Sequence, residues 1–394
     1  MTRAIPRNSF QKITVVLLSL AVLTGCTTVK NLFDGRGKDK SEDPTPLVQI
    51  SSSVNVGKLW SASLGKGGKD LGIGMRPAIV DGHVYAMAVA GGVSAFDLKT
   101  GQSLWHYASK LPLTGGPGAG DGLVVVGSLE GDVVALDAAT GAEKWTAKVA
   151  NEVLTAPAIG GGMVYVHSND GRLTALDKAT GERRWFYSPD LPALTVRGSG
   201  AITLGPGIVF VGNDNGTLTA LSMGDGNVVW TTPVAQPDGR SELERMADVD
   251  GPAVLDKATL YATSYKNHTV AIDGPSGQLL WDRENGGPHG LGLSSSAVIV
   301  TDPAGHVWGL DRNTGSSLWQ QNGLAYRKVT APIVQGDYTV VGDFAGNLHW
   351  LRLNDGAFAA RATLGGAITG QPAVADGILV VQTEDGQLAA FALQ

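Results

Sequence analysis

Residues 175–185 read ALDKATGERRW, and variants of this pattern return along most of the chain. The pattern is a small residue, an Asp two positions later, a Thr-Gly pair and a closing Trp. Its other copies are AFDLKTGQSLW (95–105), ALDAATGAEKW (135–145), ALSMGDGNVVW (220–230), AIDGPSGQLLW (271–281), GLDRNTGSSLW (309–319) and WLRLNDGAFAA (350–360), which ends in Ala360. A repeat of this length indicates that one supersecondary unit is repeated through the fold.

The tryptophans of the repeat have the spacing of β-propeller blades. They are Trp60, Trp105, Trp145, Trp185, Trp230, Trp281 and Trp319, at intervals of 45, 40, 40, 45, 51 and 38 residues. Before the motif stand two strands joined by a Gly turn, as in PAIVDGHVYAMA (77–88). With the A-x-D strand and the outer strand that carries the Trp, each unit therefore contains four strands. The chain lacks the sustained 3.6-residue periodicity that a helical solenoid requires.

The residue types of the motif suit a tight turn followed by an outer strand. Gly supplies the positive φ of a hairpin corner, and the Asp and Thr side chains can cap the turn. The Trp offers a large apolar surface and an indole N–H that needs an acceptor. We therefore expect each Trp to pack against the neighbouring blade.

The last blade is short of one strand. Residues 372–394 supply three strands after the seventh motif, whereas VGKLWSASL (56–64) resembles an outer strand with no blade in front of it. We predict an all-β fold, an eight-bladed β-propeller of four-stranded antiparallel blades over residues 54–394. The N-terminal strand would complete the last blade and close the ring, which removes exposed sheet edges.

The N-terminal residues have the features of a lipoprotein precursor. Three cations and no acid accompany an apolar run over 13–23, which is too short to span a bilayer. This run ends in Leu-Thr-Gly-Cys, which resembles the bacterial lipobox, and Cys26 is the only cysteine. We predict a lipoprotein signal peptide over 1–25, lipidation of Cys26 and a polar, flexible tether up to residue 53.

Charge and position 27 bear on location and partners. The formal net charge is −6, and loss of the three cations of the signal peptide leaves about −9, which disfavours nucleic-acid binding. Residue 27 is Thr, where Asp in Gram-negative lipoproteins signals retention in the inner membrane. We expect a lipid-anchored protein on the periplasmic face of the outer membrane, with no membrane contact beyond the anchor.

Catalytic and metal-binding constellations are missing from the sequence. The seven histidines are scattered without metal-ligand spacing, and there is no GxSxG nucleophile motif. The run GGPGAGDG (115–122) is followed by a strand and not by the helix that phosphate binding requires, so we interpret it as a turn between blades. We predict a non-enzymatic protein with no cofactor and no metal.

Two connections between blades are longer than the others. They are SPDLPALTVRGSG (188–200) and TPVAQPDGRSELERMADVDG (232–251), and both join an outer strand to the next inner strand. Such connections emerge on one face of a propeller, so these two should be neighbours. Their apolar and charged residues make a recognition surface plausible. The alternative is a solvated loop with an internal Arg–Asp pair. The residues concerned are Leu191, Leu194, Arg197, Arg240, Glu242, Glu244, Arg245, Asp248 and Asp250.

The repeat resembles the tryptophan-docking repeat of the pyrroloquinoline quinone dehydrogenases. That resemblance is specific for the fold and not for activity. Many of those enzymes hold the quinone beside a disulfide between adjacent cysteines, and this chain has a single cysteine. A quinone-dependent periplasmic dehydrogenase stays open as an alternative function, as does a propeller that binds a sugar or a peptide.

The whole precursor resembles the BamB family of outer-membrane assembly lipoproteins, which combines a lipobox, a short tether and eight such blades. The resemblance implies a scaffold of the β-barrel assembly machinery that binds the periplasmic POTRA domains of BamA. Other subunits and unfolded outer-membrane proteins are further expected partners. Carried over by motif, the partner-binding residues are Leu194, Val196, Arg197, Asp248 and Asp250, although the family pattern leads us to expect Leu where Val196 stands.

Overall fold

The computed structural model describes Met1 and residues 42–65, 74–195 and 200–394. Within these ranges the regular structure consists of 32 strands in eight four-stranded antiparallel sheets. Residues 2–41, 66–73 and 196–199 lie outside the described residues, and with them the predicted signal peptide and Cys26. No described residue belongs to a helix long and apolar enough to span a membrane.

The first four blades are continuous along the chain. Blade 1 contains β2 (Ala78–Val80), β3 (His83–Ala88), β4 (Gly92–Asp97) and β5 (Ser103–Tyr107). Blade 2 contains β6 (Leu113–Gly120), β7 (Leu123–Ser128), β8 (Asp132–Asp137) and β9 (Glu143–Lys148). Blade 3 contains β10 (Ala158–Gly160), β11 (Met163–His167), β12 (Leu173–Asp177) and β13 (Arg183–Tyr187). Blade 4 contains β14 (Ile202–Gly205), β15 (Ile208–Gly212), β16 (Thr217–Ser222) and β17 (Val228–Pro233).

The other four blades repeat this order until the last, which takes a strand from the N-terminal region. Blade 5 contains β18 (Val254–Asp256), β19 (Thr259–Thr263), β20 (Thr269–Asp273) and β21 (Leu279–Arg283). Blade 6 contains β22 (Leu291–Leu293), β23 (Ala297–Thr301), β24 (Val307–Asp311) and β25 (Ser317–Gln321). Blade 7 contains β26 (Ile333–Gln335), β27 (Tyr338–Gly342), β28 (Asn347–Arg352) and β29 (Phe358–Thr363). Blade 8 contains β30 (Ala373–Ala375), β31 (Ile378–Gln382), β32 (Gln387–Leu393) and β1 (Val56–Ser63).

The eight blades form a closed ring. Each inner strand contacts the inner strand of the next blade, and β30 of blade 8 contacts β2 of blade 1. β1 pairs antiparallel with β32, from Val56 opposite Leu393 to Ser63 opposite Gln387. The predicted eight-bladed propeller and its closure by the N-terminal strand are confirmed.

Every Trp of the repeat docks on the following blade. Its indole Nε1 donates a hydrogen bond to the backbone carbonyl that follows the A-x-D segment of that blade, at 2.8–3.1 Å. The seven pairs are Trp60–Leu98, Trp105–Ala138, Trp145–Lys178, Trp185–Met223, Trp230–Gly274, Trp281–Arg312 and Trp319–Leu353. The expected packing of the indole against the neighbouring blade is therefore confirmed.

The indole ring lies on the turn glycine of the blade that it contacts. In blade 1 the glycine is Gly101, with φ +70°, and a Cβ added there would lie 2.5 Å from the ring of Trp60. Asp97 closes the same turn, because its Oδ1 accepts hydrogen bonds from the amide of Thr100 at 2.8 Å and from its hydroxyl at 2.7 Å. The glycine thus serves both the turn and the close approach of the Trp.

The junction between blades 7 and 8 is built differently, since Ala360 replaces the Trp. Here the buried indole of Trp350 donates to Oε1 of Gln335 at 2.8 Å. The amide of Gln335 then donates to the carbonyl of Gly377 at 2.8 Å. The ring of Trp350 also meets Phe391 edge to face, with centroids 6.0 Å apart. A side-chain relay thus joins these blades where the usual docking residue is missing.

We expected the glycine-rich run 115–122 to be a turn between blades, and this was wrong. Most of the run belongs to β6, the inner strand of blade 2. Inner strands crowd together around the axis of the ring. A Cβ on Gly118 would lie 1.8 Å from the carbonyl oxygen of Pro157 in blade 3. Glycine is needed here for the close approach of two backbones.

The compact unit that contains the propeller begins at Thr45. Residues 45–53, which we expected in the flexible tether, therefore contact the propeller. The amide of Thr45 donates to the carbonyl of Ala325 at 2.9 Å, and the amide of Ser53 donates to that of Ala359 at 2.8 Å.

Candidate functional site

The two long connections between blades lie side by side, as the repeat spacing predicted. They enclose a groove of about 470 Å³, which we call the loop groove. Its lining residues are Pro192, Ala193 and Leu194 from the first connection and Pro237, Asp238, Gly239, Glu242 and Arg245 from the second.

Apolar side chains are exposed at and beside the loop groove. Leu194 keeps 50% of its surface exposed in the groove wall, and Leu243 on the second connection keeps 67%. Leu191 is also exposed on one side. Its Cδ2 packs against Gly171, where an added Cβ would lie 2.6 Å from that atom. Exposed leucines around a concave surface are typical of a site that buries apolar anchors of a partner.

The second connection is held in shape by its own hydrogen bonds. The carboxylate of Glu244 accepts from the amide of Arg240 at 2.6 Å. The guanidinium of Arg245 donates to Oε1 of Glu242 at 3.1 Å and to the carbonyl of Gly239 at 3.1 Å. These bonds order the loop before any partner arrives, which lowers the entropic cost of binding.

Asp248 and Asp250 lie deeper than the sequence suggested. Backbone bonds hold this segment against blades 4 and 5, because the carbonyl of Asp248 accepts from Tyr265 at 2.8 Å and that of Asp250 from Ala201 at 3.1 Å. Val249 between them packs in the core that these blades share. We expected Asp248 to stand on the loop surface with Arg240, but its side chain is fully buried.

These two aspartates form an acidic cluster with Asp214, which lies in a turn of blade 4. Burial, together with the charges of Asp248 and Asp214, raises the pKa of Asp250 to about 8. Burial and the charge of Asp248 raise the pKa of Asp214 to about 7. Nothing in the sequence distinguished Asp214, because Asn-Asp-Asn-Gly is an ordinary turn composition.

The remaining predicted partner-binding residues, Val196 and Arg197, lie outside the described residues. Of the predicted set, Leu194 lines the loop groove, whereas Asp248 and Asp250 lie in the part of the second connection that is hydrogen-bonded to blades 4 and 5. The described ranges contain no group of three or more His, Cys, Asp or Glu side chains that could hold a metal ion. The assignment of these residues to partner binding stays a prediction.

The acidic cluster predicts a pH-dependent stability. Asp250 has an ordinary pKa of 3.8 when unfolded and about 8 when folded, so the folded state binds the proton more tightly between these values. The free energy of unfolding should therefore fall as pH rises from about 4 to about 8, by up to about 1.4 kcal/mol per pH unit for this group. Asp250→Asn should reduce that slope in urea denaturation, leaving the part due to Asp214.

Asp190→Asn, which changes an exposed carboxyl in the first connection, is the matched control and should leave the slope unaltered. An equal slope in wild type and Asp250→Asn would contradict the assignment of a raised pKa to Asp250.

A family sequence model, related sequences and solved structures are similar to this chain. The sequence model described as outer membrane protein assembly factor BamB matches residues 89–321 and 325–394. The outer membrane protein assembly factor BamB of Xanthomonas campestris pv. campestris is 52% identical, over 98% of this chain and 98% of its own. The crystal structure of BamB from Moraxella catarrhalis superposes with a TM-score of 0.78 at 29% identity, covering 86% of this chain and 100% of that chain.

A second kind of structure shares the fold alone. Quinohemoprotein alcohol dehydrogenase from Comamonas testosteroni superposes with a TM-score of 0.70 at 16% identity, covering 88% of this chain and 78% of that chain. That likeness reflects the common propeller and not a shared reaction. The relatives at high identity are named for an assembly role, in agreement with a non-enzymatic protein at the outer membrane. The chain belongs to the BamB family of outer-membrane protein assembly factors.

Proposed function

We propose that this chain is a scaffold of the β-barrel assembly machinery, which binds the periplasmic POTRA domains of BamA through the loop groove. By holding that partner, it would assist the folding and insertion of outer-membrane proteins. The observation that carries the proposal is the groove itself, with the half-exposed Leu194 in its wall, in a member of a family of assembly factors.

The composition of the groove supports a protein partner. Leu194 and Leu243 offer apolar anchors, and the Arg245–Glu242 pair supplies a polar rim. Interfaces between proteins commonly combine an apolar centre with charged groups at the margin. The buried Asp248 would act by holding the second connection in place and not by touching the partner, since its side chain is inaccessible.

The proposal predicts that Leu194→Asp weakens partner binding without unfolding the ring. A charge in the apolar wall of the groove removes an anchor and should lower recovery of BamA about 10-fold or more. The measurement is affinity capture from detergent-solubilised envelope followed by mass spectrometry, with the midpoint of thermal unfolding as the check on folding.

Leu318→Asp is the matched control, since Leu318 is equally exposed, on the outer strand of blade 6. It should capture BamA as well as wild type does. Equal capture by Leu194→Asp and Leu318→Asp would remove the loop groove from the binding site.

We also propose that Cys26 is lipidated and anchors the protein to the outer membrane at its periplasmic face. The support is the lipobox-like sequence before this single cysteine. Several acyl chains, each contributing about 0.8 kcal/mol per buried methylene, are sufficient for stable anchoring. Cys26→Ser should therefore move the protein from the membrane pellet to the soluble periplasmic fraction, as fractionation and immunoblotting would show. A variant that still sediments with the outer membrane, without BamA present, would contradict lipid anchoring.

A further inference from the structure

Residues 45–53, which we call the strap, contain no helix or strand and lie against blades 6 and 7. Its ends are fixed by the backbone bonds of Thr45 to Ala325 and of Ser53 to Ala359, at 2.9 and 2.8 Å. Between them, Leu47 is half-buried against the apolar cluster shared by blades 6 and 7. β1, which closes the ring, begins three residues after the strap ends.

Two arginines of the propeller bind carbonyl oxygens of the strap. Nη1 of Arg327 donates to the carbonyl of Thr45 at 3.2 Å, and Nη1 of Arg361 donates to the carbonyl of Val48 at 2.9 Å. Carbonyl oxygens that no helix or sheet engages are good acceptors for guanidinium groups, whose planar donors lose little freedom per bond. The strap is thus bound through its backbone as well as through Leu47.

A buried network sets these arginines in place. Nε of Arg327 donates to Asp343 at 2.8 Å, and Nε of Arg361 donates to Nδ1 of His349 at 3.1 Å. Since Nδ1 of His349 accepts, its Nε2 carries the proton and donates to Asp343 at 3.1 Å. Burial alone would raise the pKa of Asp343, but hydrogen bonds from His349, Asn347 and Arg327 outweigh it and hold that pKa below its ordinary value.

The strap covers the one outer strand that has lost its docking Trp. At the position before the Trp, the outer strands of five other blades expose an apolar side chain, whereas Ala359 of β29 is fully buried. The exposed counterparts are Leu59, Leu104, Val229, Leu280 and Leu318. Ala360, which replaces the Trp, is also buried. The strap therefore lies on blade 7, beside the seam where closure by Trp docking is missing.

We propose that the strap is a clasp for the ring closure. β1 is held to blade 8 by its pairing with β32, which begins with Val56 opposite Leu393, and to blade 1 by the hydrogen bond from the indole of Trp60 to Leu98. A docked strap fixes the residues before Val56 and so prevents fraying from that end. If the proposed lipid anchor is correct, a force applied through the N-terminal residues is resisted by the contacts between the strap and blade 7 before it acts on β1.

Hydrogen exchange of the isolated protein, followed by mass spectrometry, tests the clasp from both sides. Leu47→Gln removes the apolar contact of the strap with blades 6 and 7. Arg361→Gln removes the guanidinium that binds the carbonyl of Val48. Each should make the amides of the strap and of β1 exchange about 10-fold faster, while those of β7 and β11 stay protected. Arg352→Gln is the matched control, because Arg352 lies on the same blade but pairs with Asp355 at the surface.

Two results would overturn the proposal. One is rapid exchange of strap amides in the wild-type chain, which would mean that the strap is not docked. The other is faster exchange of the strap in both variants with unchanged exchange in β1, which would mean that docking does not protect the closure. Neither result depends on BamA or on a membrane, so both are distinct from failure of the proposed scaffold function.

Discussion

The contact on which this structure depends is the indole of each repeat Trp on the turn of the next blade. It combines a hydrogen bond to a backbone carbonyl with a ring laid on a glycine that has no side chain to displace it. Because the donor and the acceptor belong to different blades, each contact fixes the angle between two sheets. Seven such contacts, with the Trp350 and Gln335 relay at the remaining junction, fix the angles around the closed ring.

The candidate binding surface follows from this geometry. A ring with fixed angles between blades brings the connections after blades 3 and 4 next to each other, and their added length creates the loop groove. The same packing draws Asp248 and Val249 into the space between blades 4 and 5. The outer part of the second connection thereby stands on a buried base, which is a suitable support for a docking surface.

Most of the fold was predictable from the sequence, because the repeat carries its own structural chemistry. The spacing of the tryptophans indicated the blades, and the unmatched strand around Trp60 indicated how the ring closes. Leu194 could be placed on an exposed connection for the same reason, since connection lengths are read directly from the repeat. The glycine run in β6 was misread as a turn because glycine in a turn and glycine at a crowded axis look alike in sequence.

Other features depend on contacts between distant segments, and local sequence patterns carry no signal for them. The burial of Asp248 requires blades 4 and 5 to be packed, and the raised pKa of Asp214 requires its own burial and the charge of Asp248, from a connection that follows it. The strap looked like a polar tether because its partners, Arg327 and Arg361, lie 282 and 313 residues away from the residues that they bind.

Chemical denaturation of two glycine variants tests the central contact most directly. Gly101 and Gly82 have nearly the same φ, +70° and +73°, but a Cβ would meet Trp60 at Gly101 and nothing within 4 Å at Gly82. Ala at either site should cost about 1–2 kcal/mol for its left-handed backbone. Gly101→Ala should lose about 1–3 kcal/mol more, because the indole can no longer dock without strain. Equal losses of stability in the two variants would contradict the account.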